Sequence, residues 1–281
     1  MNVLRNPRAL INAGPRFLKN QSSLNLNLNQ KIQTKIGKNT INYLTSGHGS
    51  SNVFCFPGAL GTIWSDFKPQ IDGLDQDKFT IIAWDPPGYG FSRPPNRDFD
   101  LNFYEQDADV AHSLLKDLGI SKYSLLGWSD GGISSLILAA KYPENVEKLV
   151  VWGANSYILP KDIEQFEKIR DLSKWSEKMK NPLIKLYTEE GLQKMWNGWC
   201  DTMAEMYKNG GDICKSHLRH IKCPTFILHG DKDPMVPEEH PLYLLKNIEG
   251  SKLYRFPEGK HNIHLRYADE FNKLVTEFLL T

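Results

Sequence analysis

The sequence predicts an α/β fold: a mostly parallel sheet of about eight strands flanked by helices, with a helical segment inserted between two late strands. Three observations predict it. Short apolar, β-branched runs alternate with segments of helical spacing along most of the chain. The central runs are almost continuously apolar, as strands covered on both faces must be. Residues 157–220 break the alternation, combining many Lys and Glu with Trp175, Trp196 and Trp199, helical spacing and no clear strand.

The elements follow in order. Residues 31–36 and 40–45 read as an antiparallel hairpin around Gly37-Lys38-Asn39. Val53–Phe56 is a buried strand that stops at Pro57-Gly58, and Phe79–Trp84 is another that stops at Asp85-Pro86-Pro87-Gly88. Phe103–Leu118 has helical spacing and a Gly119 stop. Tyr123–Leu126 is a strand, Gly131–Tyr142 a helix ended by Pro143, and Val146–Trp152 a strand. Thr225–His229 and Lys252–Phe256 complete the strands, with helices at Glu238–Lys246 and Ala268–Leu280. The expected organisation is a core of residues 31–156 and 221–281 carrying a helical cap of 157–220. Such a cap would lie over the strand ends and choose the substrate.

Composition narrows the function. The 281 residues are 40% hydrophobic and 24% charged, with a formal net charge of +1, so no nucleic-acid partner is implied. No apolar run approaches the ~20 residues of a membrane span. Cys55, Cys200, Cys214 and Cys223 form no metal-ligand spacing and read as reduced thiols. A monomer is the default. The chain before Asp66 has no acidic residue, and residues 1–30 are basic, then rich in Ser, Asn and Gln. That composition suits a mitochondrial transit peptide, the alternative being a basic tail on a cytoplasmic enzyme.

The segment that carries chemistry is Gly127-Trp128-Ser129-Asp130-Gly131-Gly132, with a strand before it and a helix after it. This is the setting of a nucleophile elbow, in which a tight turn lifts a serine hydroxyl clear of the sheet. A serine hydroxyl needs an adjacent base. Of eight histidines, His261 is the best placed, in the loop Pro257-Glu258-Gly259-Lys260-His261-Asn262 just after the last strand. His264 is its nearest rival, but is expected to begin the last helix and face elsewhere. The acid that orients the base should fall between serine and histidine in the chain, where Asp231 and Asp233 both follow the penultimate strand. Asp233 is preferred because it lies further out along the loop, and Asp231 suits a turn-making role. The backbone N–H groups of Asp130 and Ala59 are the expected oxyanion donors.

These motifs resemble the serine hydrolases of the α/β-hydrolase superfamily over residues 31–281. More closely, Trp84-Asp85-Pro86-Pro87-Gly88-Tyr89-Gly90-Phe91-Ser92-Arg93-Pro94-Pro95, Trp152-Gly153-Ala154-Asn155, Ser173-Lys174-Trp175-Ser176-Glu177 and the segment 268–274 resemble the biphenyl hydrolase-like (valacyclovir hydrolase) family. That resemblance implies a mitochondrial hydrolase of α-amino-acid esters, with homocysteine thiolactone a further candidate substrate. Pro57 and Pro87 depart from the wider superfamily, which often carries histidine and arginine there.

Asp130 is the informative oddity. A carboxylate beside the oxyanion site should repel the tetrahedral intermediate, unless the substrate brings a cation. An α-ammonium two bonds from the scissile carbonyl would supply one, and the resemblance implies the same role. The plainer alternative is that Asp130 complements its helix N-terminus. Two other functions share these residues: a carbon–carbon bond hydrolase or general carboxylesterase with the same triad, and a non-catalytic binding protein of the same fold. Acyl transfer through Ser, His and Asp calls for no metal and no cofactor, so the expected partner is a small-molecule ester.

Overall fold

The computed structural model describes residues 32–281. The segment read as a transit peptide lies outside them. The eight strands are β1 (Ile32–Ile36), β2 (Asn39–Ser46), β3 (Ser51–Phe56), β4 (Phe79–Trp84), β5 (Tyr123–Trp128), β6 (Val146–Trp152), β7 (Thr225–Gly230) and β8 (Lys252–Phe256). They form one sheet in the order β1-β2-β4-β3-β5-β6-β7-β8. β1 pairs with β2 and β2 with β4 antiparallel, and every other neighbour is parallel. Val53, Phe54, Cys55, Leu125, Leu126, Val150 and Val151 are fully buried, because helices cover both faces of the sheet.

Between β3 and β4 lie two short helices, α1 (Ile63–Asp66) and α2 (Lys68–Gly73), which the sequence reading did not place. A four-residue helix has no period to read. What forms it is a cap, in which Thr62 Oγ1 accepts from the Ser65 amide at 3.1 Å. α3 (Phe103–Asp117) and α4 (Asp130–Lys141) follow β4 and β5. α4 starts one residue earlier than its apolar pattern suggests, at Asp130, whose carboxylate suits a helix N-terminus.

Between β6 and β7 the chain forms α5 (Pro160–Ile169), a single 3-10 turn at Leu172–Lys174, α6 (Glu177–Tyr187), α7 (Glu189–Lys208) and α8 (Lys215–Leu218). Here the tryptophans make a packed stack. Trp196 and Trp199 lie parallel with centroids 4.8 Å apart, and Trp175 meets Trp196 edge-on at 5.1 Å. Trp175 and Trp196 both donate Nε1–H to the Ile169 carbonyl, at 2.8 and 2.9 Å. α9 (Glu239–Asn247), α10 (Ile263–Arg266) and α11 (Ala268–Leu280) complete the chain. No helix among the described residues is long and apolar enough to cross a membrane.

The residue after Pro86 is Pro87, and its carbonyl is held by Arg97 Nη1 at 2.8 Å. The same guanidinium grips Asp107 of α3 with two bonds, at 3.0 and 2.5 Å, and both side chains are almost wholly buried. It also lies 4.4 Å over the Tyr89 ring. Removing one partner of such a pair strands the other charge in the core. Arg97→Ala should therefore lower unfolding stability by about 3–5 kcal/mol in urea denaturation, far more than an exposed arginine would.

Candidate active site

β5 runs directly into Ser129, and α4 begins one residue later. To make that reversal Ser129 adopts φ 55° and ψ −122°, a conformation costing about 1–3 kcal/mol for a residue with a side chain. It is held by its backbone N–H, which donates to the Trp152 carbonyl at 2.9 Å. The neighbouring glycines are required by close approach. A Cβ on Gly131 would lie 2.2 Å from the Phe56 carbonyl oxygen, and one on Gly127 would lie 2.4 Å from Ser135 Oγ. Serine is thereby lifted above the carboxyl ends of β3 and β5, where open α/β sheets bind ligands.

His261 lies in the loop between β8 and α10. Its Nε2 is 3.1 Å from Ser129 Oγ, and its Nδ1 is 2.8 Å from Asp233 Oδ2. An ionised Asp233 can only accept, so Nδ1 carries the proton and Nε2 is the acceptor facing the serine hydroxyl. The loop is anchored by Trp128, which donates Nε1–H to the His261 carbonyl at 3.0 Å, and by the Lys232 amide, which bonds the Gly259 carbonyl at 2.8 Å. Asp233 has a side chain only 1% exposed. Its Oδ1 accepts from the amides of Met235 and Val236 at 2.8 and 3.1 Å. Burial pushes its carboxyl upward, but His261 and these two amides more than offset that and hold it below the usual carboxylate range.

The rivals sit elsewhere. Asp231 is taken by Arg255, whose Nε lies 2.6 Å from its Oδ1. His264 lies in the short helix α10, ahead of α11, and is wholly buried. Its Nδ1 accepts from Trp152 Nε1 at 2.9 Å, and burial drives its pKa down to about 3, so it stays neutral.

The loop after β3 passes beside the serine. An added Cβ on Gly58 would stand 3.3 Å from Ser129 Cβ. The Gly58 amide is already used, donating to Asp66 Oδ2 at 3.0 Å. The Ala59 amide and the Asp130 amide, at the first position of α4, have no protein acceptor among the described residues. Leu60 next to them has φ 61°, left-handed for a residue with a side chain. Asp66 beneath this loop has its pKa pushed up to about 7 by burial, against the bonds from Ser65 and Gly58.

Asp130 is 7% exposed. Tyr104 of α3 donates its hydroxyl to Oδ1 at 2.9 Å, and Trp199 of α7 donates Nε1–H to Oδ2 at 2.9 Å. Burial pushes its pKa up to about 6, opposed by Tyr104, the Arg97 charge and Trp199. The sequence gives Tyr104 no role, shows Trp199 only as part of the helical insertion and Trp128 only as part of the elbow, and signals none of these three contacts. A cavity of about 410 Å³ opens nearby between the 93–99 loop and α6–α7, lined in part by Arg97, Phe99, Tyr187 and Thr202. None of Ser129, Asp233 and His261 lines it, so the chemistry is placed by the hydrogen-bonded geometry instead. Among the described residues, no group of three or more His, Cys, Asp or Glu is placed to hold a metal ion.

The chain is 49% identical over 240 residues to mouse serine hydrolase BPHL, covering 85% of this chain and 82% of that protein. It belongs to the BPHL serine hydrolases of the α/β-hydrolase family. Residues 52–188 match the family model described as alpha/beta hydrolase fold. A more distant relative of this serine hydrolase is the 2-hydroxy-6-oxononadienedioate/2-hydroxy-6-oxononatrienedioate hydrolase of Escherichia coli K12, 30% identical over 256 residues, covering 83% of this chain and 85% of that one. Among solved structures, 2-hydroxy-6-oxo-6-phenylhexa-2,4-dienoate hydrolase from Rhodococcus superposes with a TM-score of 0.75 at 19% identity, over 90% of this chain and 99% of that one. That likeness concerns the fold. The chain is an enzyme, a serine hydrolase with the eight-stranded architecture expected of its class.

Proposed function

We propose that this serine hydrolase cleaves carboxylic esters of α-amino acids through an acyl-enzyme on Ser129. His261 Nε2 takes the Ser129 proton as Oγ attacks the ester carbonyl. The resulting oxyanion is bound by the Ala59 and Asp130 amides. His261, now protonated and stabilised by Asp233, gives its proton to the leaving alcohol. Water then attacks the acyl-enzyme by the same path, releasing the amino acid and restoring Ser129. Homocysteine thiolactone fits the same description, with a thiol as the leaving group.

One observation carries the preference for an amino group. Asp130 is a buried carboxylate adjoining the nucleophile, and the cation that bears on it most, Arg97, is already neutralised by Asp107. The three groups together hold one uncompensated negative charge when Asp130 is ionised. A buried unpaired charge is costly, and a bound ammonium would remove the cost. An uncharged acyl group, including the ketone of a ring-cleavage product, would not.

The test compares an aminoacyl ester with its N-acylated counterpart, both carrying the same alcohol. Asp130→Ala should lower the ratio of their kcat/KM values by about a hundredfold or more, the scale of a charged pair broken in a dry site. Equal losses on both esters would remove the ammonium role and leave the acyl-transfer reading standing. Faster turnover of a vinylogous diketone than of either ester would favour the carbon–carbon hydrolase alternative.

A further inference from the structure

We infer that Trp199 and Tyr104 are positioning residues for amino-ester recognition, clamping the Asp130 carboxylate so that its free lone pairs meet the substrate's ammonium. The inference rests on the proposed role of Asp130 and adds to it where the specificity comes from. Each carboxylate oxygen can accept two bonds, and here each is given one by an aromatic donor at 2.9 Å. The donors come from separate parts of the chain, Tyr104 from α3 and Trp199 from the inserted α7. Both are buried, and neither brings a charge that would compete with an ammonium.

The clamp is rigid for a visible reason. The Trp199 ring is sandwiched, stacked on Trp196 and met edge-on by Phe166 at 4.8 Å. The Tyr104 ring lies against Phe103 at 3.9 Å. A carboxylate held at both oxygens has lost its rotation before the substrate arrives, which lowers the cost of ordering it on binding. Because Trp199 belongs to the segment between β6 and β7, the ammonium site is complete only when α7 is seated on the core.

The clamp also keeps the acid ionised. Burial raises the pKa of Asp130, and the Tyr104 and Trp199 bonds pull it back. The charged and titratable groups that bear on it are Arg97 and Tyr89 from the loops after β4, and Asp107 and Tyr104 from α3. α7 contributes an indole, which does not titrate. Removing either donor should therefore move the ionisation of Asp130 upward without touching the other charges.

The experiment measures kcat/KM from pH 5 to 8 on the aminoacyl ester and its N-acylated counterpart, for the wild type, Trp199→Phe, Tyr104→Phe and Asp130→Ala. In the wild type the ratio of the two should climb as pH rises through about 6, as Asp130 ionises. In Trp199→Phe and in Tyr104→Phe the ratio should fall about tenfold, the scale of a lost hydrogen bond to a charged group, mainly through a higher KM for the amino ester. The acid limb of the ratio should move to higher pH in both. Tyr104→Phe removes a single oxygen, so it keeps the test open even if the tryptophan change disturbs α7. A clamp role is overturned if Asp130→Ala abolishes the selectivity while both aromatic variants keep the wild-type ratio and its pH limb. Parallel losses on both esters, with an unmoved limb, would show packing alone and overturn it too. Selectivity that survives Asp130→Ala would instead remove the underlying role of Asp130.

Discussion

Ser129→Ala is expected to lower kcat by roughly a millionfold, the scale seen when a triad nucleophile is removed, while leaving the thermal unfolding curve nearly unchanged. The size follows from what the geometry invests in one oxygen. Ser129 is held at φ 55°, flanked by close-packed glycines, and directed at an imidazole 3.1 Å away. Alanine keeps that backbone but has no group to form the acyl-enzyme. Residual turnover would come from the oxyanion donors acting on water. In the proposed mechanism Ser129 and His261 act as one unit, so adding His261→Ala to Ser129→Ala should cost little more, a non-additivity that unrelated sites would not give.

The second large effect is expected at Asp233. Asp233→Asn should lower kcat by about ten-thousandfold, since an amide can present its N–H₂ to Nδ1 and so favour the wrong imidazole tautomer. The side chain is only 1% exposed and tied to two amides, so solvent cannot take over its role. The pH profile gives a second readout. Because the carboxyl is held below its usual range, wild-type activity should show no acid limb from Asp233 near the ordinary carboxylate values. Asp231→Asn is the control: it touches Arg255 at the surface and should change kcat by no more than a few-fold.

The parts of this site legible in the sequence are those with a local signature. The elbow shows as a Gly-x-Ser-x-Gly turn between strand and helix, and the chain order Ser, Asp, His narrows the partners to the ends of β7 and β8. In the sequence only loop position favours Asp233 over Asp231, and the structure brings Asp233, not Asp231, to His261. The residues that were missed bond across long stretches of chain. Trp199 meets Asp130 across 69 residues and Trp128 meets the His261 carbonyl across 133. A tryptophan at helical spacing reads as core, and Trp199 is core on two sides; only its Nε1–H points to the acid. A buried indole N–H usually finds an acceptor, and the Asp130 carboxylate, with no cation of its own, was the remaining clue. α1 and α2 escaped because they are too short for periodicity. Pro87 was legible as a departure from the superfamily, but its consequence depends on Arg97 ten residues on, whose reach no local pattern encodes.

The most direct measurement is mass spectrometry of the enzyme after brief reaction with a fluorophosphonate, followed by peptide mapping. A single adduct on the peptide bearing Ser129, formed in the wild type, lost in Ser129→Ala and much slowed in His261→Ala, is the expected result. An adduct on another residue, or full ester turnover by Ser129→Ala, would contradict the account at its root.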